Sequence, residues 1–140
     1  KGLHILLAED NELNMEIAEF VIQNEGASVT KAWNGQEAVE IFKKSRPDEF
    51  DVILMDIMMP VMNGYEAAKM IRTLDRDDAK TVPIIAMTAN AFTEDRLKSK
   101  ESGMNEHIAK PIDAKLLVKV ISEFVENKER RIRNEKEKME

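Results

Sequence analysis

The chain has 140 residues, a formal net charge of −6 and no cysteine. That length suits one domain with a single packed core. The absence of thiols excludes a disulfide framework and a thiolate metal site, and the acidic balance with few aromatic residues argues against a nucleic-acid surface, a base-stacking platform or a flavin pocket.

No stretch is long enough to cross a membrane and no secretory leader is visible; the lack of cysteine fits a cytoplasmic protein. The start at Lys1, without an initiator Met, suggests an excised fragment. Leu3 to Ala8 reads as a buried strand that ends on Glu9-Asp10. Asn11 is placed to cap a helix in which Leu13, Ile17, Phe20 and Val21 recur at helical spacing, with Gly26 as its stop. Ser28 to Ala32 is a second strand. Asn34-Gly35 turns into a helix with Ala38, Val39 and Phe42 facing inward, closed by Pro47. Val52 to Met55 is an unbroken apolar run, as in a strand buried on both faces, and it ends on Asp56. A loop through Pro60 to Gly64 leads to a helix over about Tyr65–Leu74. The charged segment Asp75-Arg76-Asp77-Asp78 reads as a solvated loop.

Val82 to Met87 is a fourth buried strand, ending on Thr88. A helix over about Thr93–Ser102 is poor in apolar residues, so it should pack loosely. His107-Ile108-Ala109 is a brief fifth strand ending on Lys110-Pro111. Asp113 can cap a last helix whose inward stripe is Leu117, Val120, Ile121 and Phe124. Residues 1–126 then form the domain, and 127–140 a charged helical extension or tail. Strand and helix alternate five times. This implies an α/β fold, a doubly wound parallel sheet with helices on both faces.

In a parallel sheet the strand ends share one edge, which gathers Glu9, Asp10, Asp56, Thr88 and Lys110. Taken singly, each has a plainer reading: a helix-capping acidic pair, a turn acid, a strand-end threonine, a surface lysine with a snorkelling stem. Falling together at successive strand ends, they call for a joint one. Crowded carboxylates with no sulfur suit a hard cation, and Mg²⁺ is typically held by one or two carboxylates with waters and a phosphate. Lys110 supplies a point charge and Thr88 a hydroxyl for phosphoryl oxygens. An Asp beside Mg²⁺ and Lys can attack phosphorus to give an acyl phosphate. His4 and His107 are lone histidines with no metal role, and Met55, Met58, Met59 and Met62 read as loop and core filler.

Glu9-Asp10, Asp56-Ile-Met-Met-Pro60 with Gly64, Met87-Thr88-Ala89 and Lys110-Pro111 together resemble the receiver domain of two-component response regulators, over residues 3 to about 126. The resemblance implies a flavodoxin-like five-stranded sheet in the order 2-1-3-4-5. It implies that Asp56 accepts a phosphoryl group from a phosphohistidine on a histidine kinase or phosphotransfer domain. Mg²⁺ would be held by Asp10, Asp56 and the Met58 carbonyl, with Glu9 acting through water. Thr88 and position 107 would form the switch. The output face would be the fourth helix with the fourth and fifth strands, a face also available to a second copy of the chain. Lys110-Pro111 would be a cis peptide. The domain would catalyse only its own phosphorylation and dephosphorylation, and would touch neither nucleic acid nor membrane. Two positions depart from the pattern: the acidic pair is Glu-Asp rather than Asp-Asp, and His107 stands where an aromatic is common. The Met-Thr-Ala-Asn-Ala and Lys-Pro-Ile-Asp stretches look most like receivers attached to hybrid sensor kinases.

Competing readings fit less well. A binding module of this fold that is never phosphorylated would not need the whole site. A phosphatase with an aspartyl nucleophile would place a second Asp at the position held by Met58. In a flavin carrier, the acidic segment after the first strand would repel a phosphate.

Overall fold

The computed structural model describes residues 2–88, 97–98, 100–109 and 113–139. Strands β1 (His4–Ala8), β2 (Ser28–Ala32), β3 (Val52–Asp56), β4 (Ile84–Thr88) and β5 (Glu106–Ala109) form one parallel sheet in the order β2-β1-β3-β4-β5. Helices α1 (Glu12–Asn24), α2 (Gly35–Lys44), α3 (Gly64–Arg72), α4 (Asp77–Thr81) and α5 (Ala114–Met139) connect and flank them. This is the doubly wound order expected above. Of the helix expected over 93–102, only residues 97–98 and 100–102 are described. Lys110 and Pro111, with the expected cis peptide, lie outside the described residues.

Successive strand residues face opposite sides of a sheet, and the core divides accordingly. Leu6, Ala8, Ile53, Met55, Ile84 and Ala86 pack with Phe42 of α2 and Ala67 and Ile71 of α3. Ile5, Leu7, Val52, Leu54, Ile85 and Met87 pack with Met15, Ala18 and Ile22 of α1 and Leu117, Val120 and Ile121 of α5. Both faces being covered explains why the strands are continuous apolar runs rather than alternating ones.

The helices that follow β1, β2 and β3 each start on an asparagine cap. Asn11, Asn34 and Asn63 accept from the amides of Asn14, Glu37 and Glu66 at 2.9, 2.8 and 2.9 Å. Glu66 Oε1 returns the contact to Asn63 N at 3.4 Å, completing a capping box. These caps satisfy first-turn amides, the first two close behind the ends of β1 and β2 and the third after the longer loop that follows Asp56. Asp113 caps α5 likewise, accepting from Lys115 N at 2.9 Å. From that cap α5 runs without a break past residue 126 to Met139. Among the described residues, no helix is long and apolar enough to cross a membrane.

Two expectations change. The Asp75–Asp78 segment is only in part a solvated loop. Arg76 anchors the short helix α4, and its guanidinium donates to the carbonyls of Phe42, Ser45 and Arg46 at 2.7, 3.1 and 3.0 Å while pairing with both oxygens of Asp78 at 2.7 Å. Arg76 and Asp78 satisfy each other and the carbonyl end of α2, while Asp75 and Asp77 face solvent. The apolar spacing in α1 also misleads. Leu13, Ile17 and Phe20 are 64%, 46% and 69% exposed, and Met15, Ala18 and Ile22 hold the core instead. The helix carries two apolar faces, and only one of them is internal.

Candidate functional site

The carboxyl-terminal edge of the sheet brings the three expected acids together. Carboxylate oxygens of Glu9, Asp10 and Asp56 lie within 4.8 Å of one another. Glu9 and Asp56 are buried, at 1% and 3% exposure, whereas Asp10 opens to solvent. Glu9 is held by its backbone, which continues the β1–β2 pairing one step through Glu9 N to Ala32 O at 3.0 Å. Its Oε2 accepts from Asp10 N at 3.1 Å, so one acid orients the next.

Asp56 is the last residue of β3. Its Oδ1 accepts from Met58 N at 3.2 Å, and Ile57 N donates to Met87 O at 3.1 Å, tying the turn to β4. The loop beyond is held by close backbone approach. Gly64 N donates to Ile57 O at 2.9 Å, and a Cβ at Gly64 would run into the carbonyl oxygen of Asp56. Gly35 N donates to Met62 O at 3.1 Å, and a Cβ there would strike that same oxygen. Between these contacts Val61 takes φ +67°. This left-handed conformation is costly for a β-branched residue.

Thr88 ends β4, buried, one register step past the Asp56–Met87 pair and opposite Ala109. Met58 follows Asp56 by two residues with its side chain exposed. His107 pairs with Ala86, two steps below Thr88, and its Nδ1 lies 3.6 Å from Glu106 Oε1. Glu9, Asp10 and Asp56 therefore form one cluster, Thr88 sits on the adjoining strand end, and His107 stands back along β5. Lys110 is the residue after Ala109 and lies outside the described ones. The lone His4 is structural: its Nε2 lies 2.6 Å from Thr30 Oγ1 and its ring packs on Phe50.

The donor set fits a divalent cation. Three carboxylates offer oxygen ligands with no sulfur, and one of the three faces water from which an ion can enter. Charge gathered this way in a cleft at strand ends is the usual setting for ligand chemistry in an open α/β sheet.

Sequence reasoning passed over two further features. Arg72, at the end of α3, donates from Nε to Gly103 O, from Nη1 to Ala79 O and from Nη2 to Asn105 Oδ1, at 3.0, 3.1 and 2.8 Å. Burial pushes its pKa down. Lys98 Nζ sits 4.9 Å from the centre of the Tyr65 ring, linking the segment before β5 to the start of α3. The sequence shows an arginine at a helix end, but nothing in it says which carbonyls that side chain will meet.

Comparison with known proteins gives a consistent result. The response regulator receiver domain family matches residues 5–122. Hybrid signal transduction histidine kinase I of Dictyostelium discoideum is 38% identical over 120 residues, which cover 84% of this chain and 7% of that kinase. The chain thus spans a small part of such a relative. The receiver domain of a sensor histidine kinase from Pseudomonas aeruginosa PAO1, solved with a magnesium ion coordinated in its active-site cleft, is 37% identical with a TM-score of 0.80, covering 89% of this chain and 98% of that one. A chain in the co-crystal structure of the Saccharomyces cerevisiae histidine phosphotransfer protein Ypd1 with the receiver domain of Ssk1 is 33% identical with a TM-score of 0.77, covering 88% of each. The chain belongs to the response regulator receiver domain family, the phosphorylation-responsive modules of two-component signalling.

Proposed function

We propose that Asp56 is the phosphoacceptor of this domain and that its donor is a phosphohistidine on a histidine kinase or phosphotransfer protein. One observation carries the reading: a buried aspartate at a strand end shares a 4.8 Å cluster with Glu9 and Asp10 in a chain of the receiver family. One carboxylate oxygen of Asp56 forms a bond to phosphorus as the bond from phosphorus to the donor nitrogen breaks, and the imidazole leaves. Asp10, Asp56 and the Met58 carbonyl would hold Mg²⁺, with Glu9 acting through water. Once bound, the ion neutralises charge on the transferring phosphoryl group and keeps it in line. The Met58 amide restrains Asp56 Oδ1 and so orients the carboxylate. Thr88 and Lys110 take the remaining phosphoryl oxygens, Thr88 as a hydroxyl donor and Lys110 as a point charge.

The donor has to bring its histidine to a buried carboxylate, so it needs a seat beside the cleft. Helix α1 begins two residues after Asp10 and turns Leu13, Ile17 and Phe20 outward at i, i+4 and i+7. That stripe suits an apolar helical face on the donor. Thr88 moving toward the phosphoryl group, with His107 following, would pass the state to the face formed by β4, β5 and the helix between them. A second copy of the chain is one user of that face. The domain's own dephosphorylation uses the same site, and the parent protein is a cytoplasmically exposed hybrid kinase.

Incubation with acetyl phosphate and Mg²⁺ should add one phosphoryl mass to the intact protein, and Asp56→Asn should not gain it. Labelling that persists at full strength in Asp56→Asn would overturn the assignment.

A further inference from the structure

We propose that Arg72 is a positioning residue for phosphoryl transfer: it sets the point at which the chain enters β5, and through that entry the strand end that stands beside Thr88. This rests on the reading of Asp56 as phosphoacceptor with Thr88 as a hydroxyl donor to the phosphoryl group.

β5 has four residues, so little within the strand itself resists a slip in register. The entry is held by a closed set of hydrogen bonds. Asn105 N donates to Ile84 O, and Asn105 Oδ1 accepts from Ile84 N, both at 2.8 Å. That double contact locks the residue before β5 to the first residue of β4. Arg72 Nη2 reaches the same Asn105 oxygen at 2.8 Å, and Nε holds Gly103 O at 3.0 Å, two residues earlier. Gly103 has φ +93°, and an added Cβ would lie 2.8 Å from Arg72 Cγ, so the turn is shaped to lie against this side chain. The register then runs from Ile85–Glu106 to Thr88–Ala109, so the entry decides which residue stands beside Thr88.

The other end of the same helix touches the phosphoacceptor. Gly64, the first residue of α3, packs its Cα against the carbonyl of Asp56 and donates to Ile57 O at 2.9 Å. One nine-residue helix therefore abuts Asp56 at its start and grips the β5 entry at its end. Helices are stiff over this length, so α3 acts as a spacer between the nucleophile and the strand paired with Thr88. The guanidinium spreads its donors over three nitrogens, and each of them meets a different acceptor here. A lysine would keep the charge but gather its donors on one atom and lose that reach.

The test is the rate of Asp56 labelling at saturating acetyl phosphate and Mg²⁺, measured well below the unfolding midpoint, alongside Mg²⁺ affinity read from the single tryptophan, Trp33. Arg72→Lys should label roughly ten- to a hundredfold more slowly, the range expected for an ångström-scale misplacement. Its Mg²⁺ affinity should stay at the wild-type value, because Glu9, Asp10 and Asp56 are untouched. Gly103→Ala, which displaces the arginine without removing a polar group, should slow labelling in the same direction and stands in if Arg72→Lys does not fold. Thr30→Val is the control: it removes the His4 contact between β1 and β2, on the far side of the sheet from β5, and should label at the wild-type rate. Wild-type labelling by Arg72→Lys or by Gly103→Ala would overturn the proposal, as would equal slowing by Thr30→Val. If the wild type itself fails to label, the phosphoacceptor reading falls and this inference falls with it.

Discussion

The two edges of the sheet handle charge in opposite ways. At the carboxyl-terminal edge, Glu9, Asp10 and Asp56 place three like charges within 4.8 Å. At the other edge, where α2 ends, Arg76 meets both oxygens of Asp78 at 2.7 Å, spends its remaining donors on the carbonyls of α2 and lies over the Phe42 ring at 4.7 Å. The lower arrangement is matched in sign and geometry, so it stabilises the fold and has no capacity left for chemistry. The upper one gathers repelling groups, a cost that a fold accepts where a cation and a phosphoryl group are to be bound. Backbone strain divides the same way. Asp48, near the lower clamp, has φ +60°, which an aspartate tolerates, and its amide is held by Asp78 Oδ2 at 2.9 Å. Val61, in the loop after Asp56, has φ +67° and a β-branched side chain.

If the lower clamp serves stability, breaking it should produce the largest loss. Arg76→Ala strands Asp78 at 8% side-chain exposure and releases the α2 carbonyls. It should cost about 2–4 kcal/mol in urea or thermal unfolding, and a loss no larger than that of an ordinary surface residue would break the comparison. The clamp should also show a pH signature. The hydrogen bond from Arg76 holds the Asp78 carboxyl below its ordinary value, against an opposing push from burial. A carboxylate depressed in the folded state contributes stability above its unfolded pKa of about 3.9 and loses it as the pH falls through the folded value. Asp78→Asn should therefore be less stable than wild type at neutral pH, with the gap closing below about pH 4. A gap that stays constant into acid would mean the pair is not ionised as drawn.

The upper edge was legible in the sequence because its signal is positional. Acids and a threonine stand at the ends of apolar runs, and in a parallel sheet those ends are necessarily neighbours. The alternation of strand and helix gave the doubly wound class, whereas the sheet order came only from the resemblance to receiver domains. The lower clamp was not legible, since the run Asp75-Arg76-Asp77-Asp78 looks like any solvated charge cluster until the end of α2 is placed beside it. Helix α1 defeated the reading for a different reason. Leu13, Ile17 and Phe20 have the spacing of a core stripe, as do Met15, Ala18 and Ile22, and periodicity alone cannot say which of two apolar faces is internal.

Strain offers the next sharpening. Val61 is 76% exposed, so a replacement there changes backbone preference with little loss of packing. Val61→Asn should relieve the left-handed penalty and raise stability by about 1 kcal/mol. The same change at Asp48, already a tolerant residue, should gain nothing. If Val61→Asn brings no gain, the loop after Asp56 is not strained and the two edges differ in charge alone.

The smallest effect concerns the acids themselves. Asp10 is the exposed member of the cluster, so its repulsion with Glu9 and Asp56 is partly screened by water. Asp10→Ala should accordingly make the metal-free protein more stable by only about 0.5 kcal/mol. The sign carries the argument, because removing a group from a merely structural hydrogen-bonding cluster would lower stability. Adding Mg²⁺ should reverse the order. A ligand that binds only the folded state at a hundred times its Kd stabilises by about 2.7 kcal/mol, and wild type should receive that gain while Asp10→Ala, short of a ligand, receives much less. Two unfolding curves for each protein, with Mg²⁺ and with chelator, decide the matter. Crossing ranks would mean that the carboxylates are assembled for a cation; Asp10→Ala less stable under both conditions would place the cluster with the lower clamp, as scaffolding.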